Sequence, residues 1–119
     1  MDKTADIVAN GIFKNQGQTC LAPTRLFVQE SVHEKMVEKL KHLADSRVVG
    51  NPFDPSSNSG AIISKGQFDK VLDYIKSGKE QGAKCVAGGE RVGDKGFFLR
   101  PTIFVDVKDD MKIAREEVF

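Results

Sequence analysis

Apolar positions fall on a helical period in three stretches of the chain. In the first, Ala5, Val8 and Ile12 recur at three- and four-residue spacing with Ile7 and Ala9 beside them, until Asn15-Gln16-Gly17-Gln18 breaks the period. The pattern predicts a helix over about residues 3–14. In the second, Val32, Met36, Val37, Leu40, Leu43 and Ala44 share one face, following Ser31-Val32-His33-Glu34, which has the S-x-x-E form of a capping box. In the third, Phe68, Val71, Leu72 and Ile75 follow Ser64-Lys65-Gly66-Gln67, another capping-box candidate. That helix should stop near Gly82, since glycine accepts the left-handed backbone that commonly follows a helix.

Between these stretches lie short runs rich in strand-favouring residues and bounded by Pro, Ser or Gly. They are Arg25-Leu26-Phe27-Val28-Gln29, Ala83-Lys84-Cys85-Val86-Ala87, and Pro101 through Val107. Strands alternating with helices predict an α/β fold class, built of β-α-β units with helices on a largely parallel sheet. Asn51 to Gly60 is dense in turn formers and reads as a loop, and Asp109 to Phe119 reads as a helical turn.

Composition narrows the function. The 119 residues suit one domain, and 18 basic against 17 acidic side chains leave a formal charge of +1, which excludes nucleic-acid binding driven by net charge. No apolar run approaches the roughly 18 residues of a membrane span, and Met1-Asp2-Lys3-Thr4-Ala5-Asp6 is unlike a signal peptide, so no membrane partner is expected. Cys20 and Cys85 have no CxxC or histidine-interleaved spacing and make neither a disulfide scaffold nor a metal site; a reducing cytoplasm fits them best. Cys85, inside a strand, reads as a buried apolar residue, and His33 and His42 as surface histidines. Gly88-Gly89-Glu90-Arg91-Val92-Gly93 lacks both G-x-G-x-x-G spacing and a following helix, so it reads as a turn and not a phosphate cradle.

Cys20 stands in the loop after the first helix, behind Gly17-Gln18-Thr19. Glycine permits a tight turn and a close approach to a ligand, so this is a setting in which a thiol nucleophile could be presented. A free thiol of pKa about 8.5 is only slightly ionised at neutral pH and needs a base or positive potential, and no His or acid is adjacent in sequence. The residues alone leave a second reading open, a small buried hydrophobe near a turn. Glu116-Glu117, taken alone, reads as solvated helix charges.

Phe13-Lys14-Asn15-Gln16-Gly17-Gln18-Thr19-Cys20-Leu21-Ala22 resembles the active-site cysteine signature of the aldehyde dehydrogenase superfamily, F-x-x-x-G-Q-x-C. The resemblance continues in the family's order through Arg25-Leu26-Phe27-Val28, Val49-Gly50-Asn51-Pro52, Gly88-Gly89, Arg100-Pro101-Thr102 and Ile113 to Phe119. It implies a covalent route from an aldehyde, a small-molecule substrate, to a carboxylic acid with NAD or NADP. Cys20 would be the nucleophile, and its own N–H one donor to the oxyanion. Glu117 would hydrogen-bond the nicotinamide ribose and Phe119 would pack near the nicotinamide. Thr19 and Leu21 would flank the aldehyde pocket, with core packing an equal reading of Leu21. Lys14 would face the aldehyde entry and favour an anionic substrate, and Arg25 would be structural. Gln67 and Lys70 match positions that reach the cofactor in some relatives, though capping and solvation explain them equally.

The same resemblance makes residues 1–119 a segment of a catalytic domain from which the dinucleotide-binding half, the general base, one oxyanion donor and the C-terminal oligomerisation arm are absent. The isolated chain is then expected to be inactive; the alternative is a non-enzymatic fragment or interaction module, which would self-associate through faces that those parts would cover.

Overall fold

The computed structural model describes residues Met1–Phe119. Helix α1 (Asp2–Phe13) and helix α2 (Glu30–Asp45) pack together because their apolar stripes face each other: Ala5, Ala9 and Phe13 meet Met36, Leu40 and Ala44 in one buried cluster. Alanines at the α1 positions let the two helices approach closely. Helix α3 (Lys65–Glu80) turns Phe68 onto Ile62 and Leu99 in a second cluster, where the Phe68 and Phe97 rings lie 5.8 Å apart at 45°. Strand β1 (Lys84–Ala87) joins the first cluster through Ala87 and pairs with strand β2 (Ile103–Val105), and a four-residue helix, α4 (Lys112–Arg115), follows.

Both ends of α3 follow from its sequence. The Ser64 side chain accepts from the Gln67 N–H at 3.3 Å, forming the first half of the expected capping box. At the other end Gly82 has φ +95°, the Gly82 N–H donates to the Lys79 carbonyl and the Ala83 N–H to the Gly78 carbonyl, the paired bonds of a Schellman ending. The capping box expected at Ser31 does not form. Helix α2 begins at Glu30 with Gln29 as its N-cap, so Ser31 is already inside the first turn, where its hydroxyl cannot reach forward to a free N–H.

Two strand expectations are corrected. Arg25 to Gln29 forms no strand: the stretch has no strand beside it within these residues, and a strand exists only where its backbone groups are paired. Leu26 and Phe27 point outward, and Val28 alone packs against the first cluster. The α/β class holds, but the strand pair is antiparallel, not parallel. No helix separates β1 from β2. The chain between them makes an out-and-back excursion, with Arg91 bridging Leu99 and the Val92 N–H donating to the Phe98 carbonyl, and such a return is antiparallel by construction. The second strand is also shorter than Pro101 to Val107 suggests.

Gly88 is required where the excursion leaves the sheet. Its φ is +63°, and a Cβ there would lie 2.2 Å from the Pro101 carbonyl oxygen. The glycine pair therefore serves chain-on-chain packing, in agreement with the turn reading. No helix is long and apolar enough to cross a membrane.

Candidate active site

The loop carrying Cys20 is built by an abrupt reversal of handedness. After Phe13, buried in the α1–α2 core, the chain enters a 3-10 turn (Lys14–Gly17) in which Asn15 (φ 53°), Gln16 (φ 55°) and Gly17 (φ 75°) are successively left-handed. A left-handed L-residue costs about 1–2 kcal/mol, so two in a row need support. Asn15 Nδ2 donates to the Gln18 carbonyl at 3.0 Å, and the Gln18 N–H donates back to the Asn15 carbonyl at 3.0 Å. Gln18 Oε1 then accepts from the Ile63 N–H at 3.0 Å, tying this loop to the segment that precedes α3. Strain held in place by surrounding bonds is characteristic of functional loops.

Cys20 follows as the second residue of a turn closed by the Ala22 N–H donating to the Thr19 carbonyl at 2.9 Å. Cys20 is exposed within these residues, unlike the small buried hydrophobe of the second reading. Its N–H takes no part in the turn bond and makes no backbone hydrogen bond. Leu21 is 90% exposed and joins no core cluster within these residues. Cys85 is half-buried, short of the full burial expected of it, and its thiol donates to the Ala87 carbonyl at 3.2 Å.

Opposite Cys20 stands the segment after α4. A cleft of about 350 Å³ has Thr19, Cys20 and Arg25 on one wall and Ile113, Arg115, Glu116, Glu117 and Phe119 on the other. Residues from the two ends of the chain thus meet at one opening. Arg25 braces it, since Nη1 donates to the Ala114 carbonyl at 3.2 Å, a structural part as expected. Lys14 and Leu21 do not line it. A larger depression of about 450 Å³ over the start of α2, lined by Val28, Glu30, Ser31, His33 and Glu34, contains no cysteine, and no cluster of metal-binding side chains exists in the chain.

Helix α3 holds the second wall in place, a feature that sequence reasoning missed. Gln67 does not complete its capping box; its Nε2 donates to the carbonyls of Val118 (3.2 Å) and Phe119 (2.6 Å). The buried Tyr74 donates its hydroxyl proton to Glu116 Oε2 at 2.6 Å, with the Lys112 ammonium 4.5 Å above its ring. Donation to a carboxylate that loses this bond when the phenol ionises, together with burial and the negative charge of Glu116, raises the pKa of Tyr74. The available signal was spacing: Gln67 and Tyr74 are seven residues apart and so share a helix face.

The aldehyde dehydrogenase family model matches residues 1–119, all of the chain. The chain belongs to the aldehyde dehydrogenase family. This aldehyde dehydrogenase segment is 48% identical to aldehyde dehydrogenase family 2 member C4 of Arabidopsis thaliana, over all of its own length and 24% of that protein. It is 50% identical to the mitochondrial aldehyde dehydrogenase of Equus caballus, again over its full length and 24% of the relative. Among solved structures it superposes on the NAD+ complex of aldehyde dehydrogenase from Bacillus cereus with a TM-score of 0.96 and 40% identity, covering 99% of this chain and 24% of that one. The segment spans about a quarter of the length of the relatives it matches.

Proposed function

We propose that these residues carry the nucleophile and one wall of the nicotinamide site of an enzyme that oxidises an aldehyde to a carboxylic acid. The observation that supports this most is the shared cleft of Cys20, Glu117 and Phe119, three residues that the aldehyde dehydrogenase resemblance singles out and that the fold brings together. The Cys20 thiolate attacks the aldehyde carbon, a C–S bond forms, and the carbonyl π pair moves to oxygen. The free Cys20 N–H faces no competing acceptor in the backbone and serves as one oxyanion donor. NAD, when bound, supplies the acceptor for the hydride that leaves this carbon. Cys20 then holds the acyl group as a thioester, and water releases the carboxylic acid and restores the thiol.

The residues present fit one end of such a dinucleotide. Glu117 offers a carboxylate able to accept from two ribose hydroxyls, and Phe119 a flat apolar face. The glycine pair at 88 and 89, packed on Pro101 and Cys85, offers no cradle for the phosphates. The NAD+ complex of the Bacillus cereus relative supports NAD as the cofactor class, with NADP the alternative.

No carboxylate or imidazole hydrogen-bonds Cys20, so the base comes from the remainder of the enzyme, and the 119 residues alone turn over no aldehyde. The isolated chain also self-associates, because Leu21, Phe27, Phe53 and Ile63 are each more than four-fifths exposed; sedimentation at high concentration would show dimers or larger species. The test of function is aldehyde oxidation with NAD by the complete polypeptide carrying these residues. Cys20→Ala should lower kcat by about 10⁴-fold or more. A Cys20→Ala variant of ordinary activity overturns the proposal, as does aldehyde turnover by the isolated chain.

A further inference from the structure

Three side chains at seven-residue intervals, Gln67 and Tyr74 of α3 and Gln81 at its C-cap, hold the segment that carries Glu117. Gln81 Oε1 accepts from the Lys112 N–H at 2.8 Å, Tyr74 donates to Glu116 at 2.6 Å, and Gln67 donates to the last two carbonyls. After Glu116, whose N–H closes α4, residues 117–119 donate no backbone hydrogen bond. Within residues 1–119, the contacts that place them come from side chains reaching out from α3. Glu116 is extended (φ −113°, ψ 156°), so its side chain and that of Glu117 leave the backbone on opposite sides. Glu116 and Glu117 both border the Cys20 cleft, and fixing Glu116 against α3 fixes the backbone from which the Glu117 side chain leaves on the other side.

We propose that Tyr74 is a positioning residue for dinucleotide binding: its hydroxyl locks Glu116 and so directs Glu117, without touching substrate or cofactor. The inference rests on the role proposed above for Glu117. Tyr74 suits this part because it is buried, with the ammonium groups of Lys112 and Lys70 4.5 Å and 5.7 Å from its ring centre, and its hydroxyl makes one hydrogen bond, to the carboxylate. Glu116 takes part in no ion pair, and the phenol is the one side chain hydrogen-bonded to its carboxylate.

Tyr74→Phe removes a single oxygen atom and keeps the ring. In the complete enzyme it should weaken NADH binding, read by the change in dinucleotide fluorescence, and raise KM for NAD, each by about tenfold, the scale of one hydrogen bond to a charged group. KM for the aldehyde and the yield of folded protein should stay as in the wild type. Glu116→Ala should reproduce the effect, the double variant should be no worse than either single, and Glu116→Gln, which keeps an acceptor oxygen, should lose less than Glu116→Ala. NADH affinity within about twofold of wild type in Tyr74→Phe overturns the inference, and so does a loss in the double variant that multiplies the two single losses. A wild-type enzyme that binds NADH yet oxidises no aldehyde overturns the proposed function instead, and the binding measurement still decides the role of Tyr74.

Discussion

Two glycines of α3 make opposite predictions from the same substitution. Alanine in place of glycine inside a helix is worth about 1 kcal/mol from backbone entropy alone. At Gly66, on the exposed first turn, a Cβ meets nothing within 4 Å, so Gly66→Ala should stabilise the chain by about 0.5–1 kcal/mol. At Gly78 the Cβ would lie 3.0 Å from Ile113 Cδ1 and 3.2 Å from two ring carbons of Phe104, closer than ordinary packing allows. Crowding of that kind costs about 1–3 kcal/mol, which equals or exceeds the propensity gain. Gly78→Ala should therefore be neutral to about 2 kcal/mol destabilising, and Ile113, at the edge of the Cys20 cleft, should be the side chain that moves. Urea unfolding followed by far-ultraviolet circular dichroism measures both, with the slope against denaturant checking that the two-state comparison holds. Equal stabilisation by the two alanines would refute the close packing of α3 on the segment that carries Glu117.

Other outcomes follow from the same contacts. Tyr74 is the single tyrosine of the chain, so phenolate absorbance reports it alone; its midpoint should lie above 10, and Glu116→Ala should bring it down toward the ordinary value. Because the folded state holds that proton more tightly, the stability contributed is complete below the unfolded pKa near 10 and is lost as pH rises through the folded pKa. Gln18→Ala frees the Ile63 N–H, which is beside solvent, so stability should fall by no more than about 1 kcal/mol while kcat of the complete enzyme falls about 10- to 100-fold through misplacement of Cys20. Unchanged kcat with unchanged stability would show that Gln18 does not hold the nucleophile loop.

What could be read from the sequence was what local chemistry determines. The helices at α1, α2 and α3 follow from the period of their apolar residues, and the end of α3 from Gly82. Arg25 to Gln29 looked like a strand because Leu26, Phe27 and Val28 favour a pleated surface, but no partner lies within these residues, and propensity carries no information about partners. The antiparallel pairing was illegible for a related reason: alternation of elements suggests crossovers, whereas the excursion from Gly88 to Thr102 is fixed by contacts such as Arg91 with Leu99. Of the site, Cys20, Glu117 and Phe119 were found through resemblance to a family and not through spacing, since they lie near opposite ends of the chain. The tethers from Gln67 and Tyr74 went unread, because Gln67 looks like half of a capping box, and the partner of a helix-face hydroxyl is not visible until the segment it holds is in view.

The account stands on a covalent bond at one sulfur. The direct measurement is peptide mass spectrometry of the complete enzyme quenched during turnover of an aldehyde with NAD, with Cys85 as an internal control for nonspecific thiol reaction. The acyl group should be found on the peptide containing Cys20, absent without NAD and absent in Cys20→Ala. Turnover with the acyl group on Cys85, or with Cys20 unmodified at every quench time and dispensable for activity, would contradict it.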